Sequence, residues 1–367
     1  MIDRDELGAW LRLLETPQFG RESARKLLAA FGSPQAVIGA STAARGGVVA
    51  PAKAALLATE PDTLDALIHT TLDWLNADVP TPRAVIALGD PRYPRALLDT
   101  PDPPLMLYAQ GRFELLQASA IAVVGSRNPT PQGAQNALAF SSHLSHAGLT
   151  VISGMALGVD AAAHSGGLEG AASTVAVVGT GLDIVYPRHN LNLAHRIADK
   201  GLIVSEYALG TPSKALNFPL RNRIIAGLAS GTLVVEAALK SGSLITARLA
   251  NEAGREVFAI PGSIHSPQSR GCHALIRQGA KLVETAQDIL EELHLAAASP
   301  SPAPHVQPDH PDEPLLAALG FDPVTVDALA ARTGWGVADL SARLLGLELD
   351  GLVARLPGQL FQRVVRR

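Results

Sequence analysis

The chain has 367 residues, of which 47% are hydrophobic and 17% charged, so it can form buried cores and about two to three domains. Its 30 basic and 34 acidic residues give a net charge of −4, which is not the overall signature of a nucleic-acid-binding protein. A single cysteine, Cys272, excludes a disulfide framework and a cysteine-rich zinc site. Without a signal-peptide pattern or an apolar run of about 18 residues, the sequence predicts a cytoplasmic protein with no membrane contact.

Two changes in composition divide the chain. Residues 296–314 are rich in proline and contain no Lys or Arg, which is typical of a semi-extended linker. A weaker seam lies at residues 77–82. We therefore expect three units: a helical domain at 1–78, a larger domain at 83–295 and a small domain at 315–367.

The first unit is predicted to be helical, because apolar residues recur at helical spacing in segments 7–14 and 24–31. The second segment ends at Gly32, in the position of a helix C-cap. The segment 19–33 also resembles a helix-hairpin-helix, whose hairpin amides can bind a DNA phosphate. Acidic residues outnumber basic ones in 1–75 by nine to seven, which favours a small helical bundle packed on the main domain instead.

The middle unit alternates β-rich runs with helix-length segments, the pattern of a parallel sheet covered on both faces. The strands are predicted at 120–124, 150–152, 174–178, 202–204, 232–235 and 256–260. In such sheets ligands bind outside the carboxyl ends of the strands. Nearly every turn at those ends is rich in glycine or serine, so we expect the binding site there.

The turn GSRNPTP at 125–131 follows the first of these strands. Thr130 suits a helix N-cap and Pro131 the first helical position, so the helix start is expected to offer free amide donors to a phosphate. Arg127, the only Lys or Arg between 115 and 159, is expected to contact that phosphate. A GxGxxG motif and a ribose-binding acid are both absent, which argues against a dinucleotide cofactor.

Basic residues are concentrated in one part of the middle unit. Residues 205–281 contain nine bases and four acids, a local balance of +5. Several phosphate-binding turns on one rim suit a row of phosphates, and single-stranded nucleic acid fits best. Phe218 is expected either to stack on a base or to pack in the core. The candidate DNA-binding residues are Gly125, Ser126, Arg127, Asn128, Gly154, Gly158, Gly179, Gly181, Arg188, Lys214, Asn217, Phe218, Arg221, Asn222, Arg223, Lys240, Ser241, Gly242 and Ser243.

Other chemistry finds little support in the sequence. Asp160 and His164 are spaced to act as an acid–base pair, but a capping carboxylate and a structural histidine are favoured. His143 and His146 lack nearby acidic or cysteine ligands, so no metal site is expected. No phosphate-binding GxxxxGK[ST] motif occurs. We expect no catalytic residue and no cofactor.

Five strings closely resemble the DNA-processing protein A family, also called DprA or Smf. They are GSRNPTPQG at 125–133, SGMALGVDAAAH at 153–164, VGTGLDIVYPRHN at 178–190, NFPLRNRIIAGLA at 217–229 and EAALKSGSLITARLANEAGREVFAIPG at 236–262.

The resemblance implies an α/β fold. Its core is an extended Rossmann-like parallel sheet, flanked by an N-terminal helical domain of the helix-hairpin-helix or SAM-like kind and a C-terminal winged helix. It also implies a non-enzymatic homodimer that protects incoming single-stranded DNA and loads the RecA recombinase during natural transformation. By resemblance, Arg127, Lys214 and the segment 217–223 lie where the family contacts DNA, with Arg188 in the same pocket.

The C-terminal sequence supports a winged helix. Helices are predicted at 324–332 and 337–349, followed by a β-hairpin at 352–364 around a Pro-Gly turn. The second helix offers Arg343 among several acidic residues, which favours a protein contact or an auxiliary role over sequence-specific duplex recognition.

Two rival functions stay open at this point. One is a Rossmann-like nucleoside-monophosphate N-glycosidase with Glu236 and Arg248 as catalytic candidates, although the PGGxGTxxE signature of that group is missing. The other is a transcription factor that acts through the winged helix. Periodicity does not define a dimer face, and Leu275, Ile276 and Leu282 are its candidates.

Overall fold

The computed structural model describes residues 2–295 and 314–364. Most of the predicted linker, residues 296–313, lies outside the described residues. No helix of 2–295 or 314–364 is both long enough and apolar enough to cross a membrane.

The N-terminal unit consists of helices, as predicted. They are α1 (Arg4–Glu15), α2 (Arg21–Phe31), α3 (Pro34–Gly39), α4 (Thr42–Gly46), α5 (Pro51–Leu56) and α6 (Leu64–Asn76). The Asp3 carboxylate caps α1 by accepting from the Glu6 N–H at 2.7 Å. Gly32 ends α2 with a φ of +82°, the left-handed C-cap conformation that the sequence predicts.

One nine-stranded sheet forms the centre of the molecule. Its strands are β1 (Arg83–Ala87), β2 (Met106–Gly111), β3 (Ala120–Val124), β4 (Thr150–Ser153), β5 (Thr174–Val178), β6 (Leu202–Ser205), β7 (Gly231–Val234), β8 (Glu256–Ala259) and β9 (Lys281–Leu282). They lie in the order β1-β2-β6-β5-β4-β3-β7-β8-β9; β2 pairs antiparallel with both β1 and β6, and all the other pairings are parallel. The six predicted strands are present, whereas β1, β2 and β9 are additional.

Helices cover both faces of this sheet, as expected for a parallel sheet. They are α7 (Arg95–Leu98), α8 (Pro131–His146), α9 (Val159–Gly167), α10 (Leu191–Lys200), α11 (Asn217–Leu228), α12 (Ser243–Glu252), α13 (Arg270–Arg277) and α14 (Ala286–Glu292). One apolar core includes Ile224 and Ile225 of α11, and another includes Phe140 of α8 and Ile289 of α14. The prediction of a doubly covered Rossmann-like sheet is therefore confirmed.

The N-terminal helices share a hydrophobic core with the first two strands. Leu11 and Leu27 belong to the same buried cluster as Val85 of β1 and Tyr108 of β2. Tyr108 is fully buried, and its hydroxyl lies 3.3 Å from that of Thr71 on α6. The N-terminal unit is thus packed directly on the sheet domain.

The strand order places a topological switch point between β3 and β7. From β3 the chain builds β4, β5 and β6 on one side, and it then crosses over to build β7, β8 and β9 on the other side. In open α/β sheets a crevice forms at the carboxyl ends of the strands at this point, and ligands commonly bind there.

The C-terminal unit is a winged helix, in agreement with the sequence. It contains α15 (Pro314–Leu319), β10 (Val324–Thr325), α16 (Val326–Thr333), α17 (Val337–Leu349), β11 (Val353–Leu356) and β12 (Leu360–Arg363). The hairpin and α17 match their predicted positions, but the helix predicted from residue 324 begins at Val326. Val324 and Thr325 instead pair with β12, and the Thr325 hydroxyl caps α16 by accepting from the Ala328 N–H at 3.1 Å.

Candidate nucleic-acid interface

A side-chain carboxylate of the protein, that of Glu236, lies at the switch point. Glu236 follows β7, and its Oε2 accepts from the Thr130 backbone N–H at 2.9 Å while its Oε1 accepts from the Thr130 hydroxyl at 2.6 Å. Thr130 is the N-cap of α8, as predicted, and its hydroxyl accepts from the Gly133 N–H at 3.0 Å. The prediction of free amide donors for a phosphate is therefore wrong at this helix, because Glu236 occupies the place of the anion.

A pocket of about 110 Å³ opens one strand away from the switch point, at the ends of β3, β4 and β5. It is lined by Arg127, Met155, Ala156, Leu157, Val178, Gly179, Tyr186, Pro187, Phe218 and Arg221. Apolar and aromatic side chains thus form most of its wall, together with two guanidinium groups. This combination suits a flat, uncharged ring next to a phosphate.

Two aromatic rings lie together in the pocket wall. The rings of Tyr186 and Phe218 have centroids 5.6 Å apart, and the guanidinium of Arg127 lies 5.9 Å from the centre of the Phe218 ring. Tyr186 is 48% exposed, whereas Phe218 is half-buried behind it. Tyr186, which sequence reasoning did not select, is therefore the ring most open to a ligand.

Arg221 forms part of the pocket floor and not of its rim. It is 5% exposed, and its Nη1 donates to the Val177 carbonyl. Burial lowers the pKa of Arg221, the nearby charge of Asp160 opposes this, and the charge of Arg127 lowers the pKa further. The two arginines thus face the same pocket, with Arg127 exposed at the mouth and Arg221 beneath.

Other residues of the α11 segment contact the protein itself. Arg223 Nε lies 2.7 Å from Asp102 Oδ2, and its side chain is 13% exposed. The Asn217 side-chain amide donates to the Gly179 carbonyl at 2.9 Å, and that of Asn222 donates to the Gly242 carbonyl at 3.4 Å. These contacts hold the first half of α11 against the protein, and they leave Arg221 and Arg223 poorly placed for the direct DNA contact that the sequence predicts.

Four predicted cations lie exposed along the rim. These rim cations are Arg127, Arg188, Lys214 and Lys240. Within the described part of the chain none of them forms a salt bridge, so their charges are available to a polyanion. Asn128 is also exposed on the rim, beside the partly buried Ser126. Ser241 and Ser243 lie near Lys240, and their hydroxyl groups are 2.7 Å apart.

The predicted glycines mostly allow protein loops to approach one another. A side chain at Gly154 would collide with Arg221 and Asp160, and one at Gly158, where φ is +79°, would collide with the Ser126 carbonyl. Gly125, Gly179 and Gly181 are likewise in close contact with neighbouring residues, whereas Gly242 faces open space. These glycines shape the rim, but the close contacts come from the protein.

His164 has a structural role, as the sequence favoured. It is fully buried, its Nε2 donates to the Gly154 carbonyl, and its Nδ1 lies 2.7 Å from the Thr174 hydroxyl, which itself donates to the Val151 carbonyl. Burial lowers the pKa of His164 to about 4, so the ring is neutral near pH 7. Asp160 accepts from the Ala156 N–H at 3.2 Å, which fixes the turn after β4.

Glu236 and Arg248, the catalytic candidates of the alternative N-glycosidase function, do not lie in one site. Glu236 is bound to Thr130, and burial raises its pKa. Arg248 is exposed on α12, where it pairs with Glu252 at 3.5 Å. Within 2–295 and 314–364, no group of three or more His, Cys, Asp or Glu side chains is arranged to hold a metal ion.

A larger groove of about 750 Å³ lies near the other edge of the sheet, between α12, α13 and the last two strands. Leu239, Leu244 and Leu275 contribute apolar surface to it. Leu282 of the edge strand β9 lies nearby in the sheet and is 47% exposed. This groove contains part of the predicted dimer face.

Comparisons with known proteins all point to one family. The model of the DNA recombination-mediator protein A family matches residues 84–294, and that of the DprA winged helix domain matches residues 297–359. Protein Smf of Escherichia coli strain K12 is 42% identical over 300 residues, 79% of each chain. DNA processing protein DprA of Streptococcus pneumoniae strain R6 is 47% identical over 203 residues, 55% of this chain and 72% of its own.

Two solved structures agree with the fold. The X-ray structure of DprA from Streptococcus pneumoniae has a TM-score of 0.67 at 35% identity, over 79% of this chain and 98% of its own. A structure of Helicobacter pylori DprA, described in terms of its single-stranded DNA binding mode, has a TM-score of 0.53 at 30% identity, over 59% of this chain and 97% of its own. The chain therefore belongs to the DNA recombination-mediator protein A family, also named DprA or Smf.

Proposed function

We propose that this chain binds single-stranded DNA as a non-enzymatic recombination mediator in natural transformation. The observation that carries the proposal is the pocket at the ends of β3, β4 and β5, which combines two aromatic rings with Arg127 and lies on the rim that carries the rim cations. A dinucleotide at the switch point would have to displace Glu236. The single-stranded DNA binding of the Helicobacter pylori relative supports the same ligand class.

The pocket favours a single strand over a duplex for a geometric reason. An exposed ring such as that of Tyr186 offers its face to a base, and bases expose their faces only when they are unstacked. The rim cations supply attraction to the phosphates without reading the sequence. Binding is therefore expected to depend weakly on sequence and strongly on salt.

A salt titration tests this proposal. The affinity of the full chain for a poly-thymidine strand is measured at several salt concentrations for the wild type, Arg127→Ala and Lys214→Ala. Each lost phosphate contact should weaken binding and lower the slope of log affinity against log salt by about 0.7. Lys26→Ala is the control, because Lys26 is exposed on α2 and pairs with Glu22. Unchanged affinity in both rim variants would refute the proposal.

We also propose that the bound chain loads RecA onto the strand. The support is membership of a family described as recombination mediators. The test is RecA filament formation on strands coated with single-strand-binding protein, with and without this chain. Stimulation that disappears in Arg127→Ala would support the proposal, and no stimulation by the wild type would leave only DNA binding.

A homodimer through the groove beside α12 and α13 completes the proposal. The groove adjoins β9, which among the described strands pairs with β8 alone and ends the sheet, so a second copy related by a twofold axis can pair edge to edge. Leu275 and Leu282 would then be covered together with the rim cation Lys240, which lines the same groove, so Arg127, Arg188 and Lys214 would carry the attraction to the phosphates. Sedimentation should show a dimer for the wild type and a monomer for Leu282→Arg, whereas a monomeric wild type would refute this arrangement.

A further inference from the structure

Five charged side chains form one ion-pair network outside the pocket, and we refer to it as the Arg223 network. Arg21 and Arg25 lie on α2, Asp102 lies between α7 and β2, Glu206 follows β6, and Arg223 lies on α11. The network therefore joins the N-terminal helices to the sheet domain and to the helix that forms one side of the pocket.

Two carboxylates are shared among the three arginines. Asp102 Oδ2 lies 2.7 Å from Arg223 Nε and 2.9 Å from Arg21 Nη2, and Asp102 Oδ1 pairs with Arg25. Glu206, whose side chain is 4% exposed, pairs with Arg223 at 2.5 Å and with Arg21 at 3.3 Å. Burial would raise the pKa of Asp102, but the neighbouring arginines, Arg223 foremost, outweigh it and lower the pKa to about 2. Asp102 therefore stays ionised at neutral pH.

The network reaches the pocket through α11. On one side of this helix Arg221 is anchored to the Val177 carbonyl in the pocket floor. On another side Arg223 is held by Asp102 and Glu206. Phe218, which forms part of the pocket wall, lies in the first turn of the same helix. A shift of α11 would therefore move the pocket wall relative to Arg127.

We propose that Asp102 and Glu206 are positioning residues for the pocket, and that Arg21 and Arg25 make the N-terminal helices part of the same support. This inference rests on the proposed function, because it gives the N-terminal unit an indirect role in binding single-stranded DNA. Arg21 lies at the start of the segment that resembles a helix-hairpin-helix. Its guanidinium donates to Asp102 and Glu206, so it is not free to bind a phosphate.

The test compares two neighbouring residues of α2 in the full chain. Arg25→Gln removes one support of Asp102, whereas Lys26→Gln removes only a surface pair with Glu22. Affinity for a poly-thymidine strand and its salt dependence are measured below the unfolding temperature of each variant. Amide hydrogen exchange of residues 217–228 reports on α11 directly and needs no DNA.

Arg25→Gln should weaken binding by about fivefold or more. It should also speed exchange at residues 217–228 and leave the salt slope unchanged, because Arg25 contacts no phosphate in this proposal. Arg25→Lys should restore part of the affinity, and Lys26→Gln should behave like the wild type. Arg223→Gln, which cuts the link to both carboxylates, should have the larger effect.

Two results would overturn the inference. Wild-type affinity and wild-type exchange in Arg25→Gln would show that the network does not position α11. A fall in the salt slope would show that Arg25 contacts a phosphate directly. If Arg127→Ala leaves binding unchanged, the proposed function fails instead, and the exchange measurement still decides whether the network holds α11.

Discussion

Glu236 binds Thr130 at the point where the strand order of the sheet reverses. Its carboxylate accepts from both the backbone N–H and the hydroxyl of Thr130, at 2.9 and 2.6 Å, and so places a negative charge at the start of α8. In a nucleotide-binding sheet a phosphate would occupy this place. The pocket lined by Arg127 and Phe218 lies one strand away.

The first prediction concerns Glu236 itself. Burial raises its pKa, so the folded state binds this proton more tightly than the unfolded state does. Its contribution to stability is greatest at low pH and falls as the pH rises through the raised pKa. Glu236→Gln keeps an acceptor for Thr130 and should remove this pH dependence in urea denaturation. Glu236→Ala should cost about 1–3 kcal/mol, because the partly buried N–H and hydroxyl of Thr130 lose their partner, and a fully stable alanine variant would contradict this account.

The second prediction concerns Gly154. A methyl group there would meet the Arg221 guanidinium and the Asp160 carboxylate, and both side chains are buried and have little room to move. Gly154→Ala should therefore lower the free energy of unfolding by about 1–3 kcal/mol. Gly242→Ala is the matched control, because that position faces open space, and it should change stability little. Equal stability of the two variants would disprove the close packing.

The third prediction is a loss of stability in mild acid. His164 has a pKa of about 4 in the fold, whereas an unperturbed histidine titrates near 6.5, so the unfolded chain takes up the proton first. Stability is complete above that ordinary value and falls as the pH decreases toward 4. From pH 7 to pH 5 the loss should be about 2 kcal/mol. His164→Gln should flatten this dependence, whereas the same change at the exposed His189 should leave it intact.

The fourth prediction assigns base stacking to Tyr186. Its ring is the exposed aromatic surface of the pocket, and a base stacked on it should contribute about 1–3 kcal/mol. Tyr186→Ala should weaken binding of single-stranded DNA accordingly, with no change in salt slope because the ring carries no charge. Tyr186→Phe keeps the ring and should bind almost as the wild type. An alanine variant with full affinity would exclude this role.

Much of the fold could be predicted from the sequence. The runs at 120–124 and 174–178 match β3 and β5 because each is rich in apolar and β-branched residues and ends at a glycine turn. The sequence does not predict β1 and β2, since β1 follows a proline-rich seam and the two strands are joined by antiparallel pairing outside the βα repeat. The strand β9 has only two residues, too few for a recognisable pattern.

The site was less predictable because its contacts are distant in sequence. Arg223 and Asp102 are 121 positions apart, and Thr130 and Glu236 are 106 apart, so no local pattern shows that these groups pair. The charges along the sequence therefore predict that Arg223 is available to DNA, whereas in the fold it pairs with Asp102 and Glu206. Arg127 and Lys214 are exposed, as expected for residues predicted to contact phosphates. Neither has an acidic residue within four positions of it in the chain.

Photo-crosslinking tests most directly whether single-stranded DNA binds at the pocket that contains Tyr186 and Phe218. A poly-thymidine strand that carries photoreactive thymidines is crosslinked to the full chain, and tryptic peptides are identified by mass spectrometry. The account predicts crosslinks in peptides 128–188 and 215–221, which contain Tyr186 and Phe218. Excess unlabelled single strand should suppress them more than excess duplex. Crosslinks confined to residues 1–76 or to the winged helix at 314–364 would contradict the account.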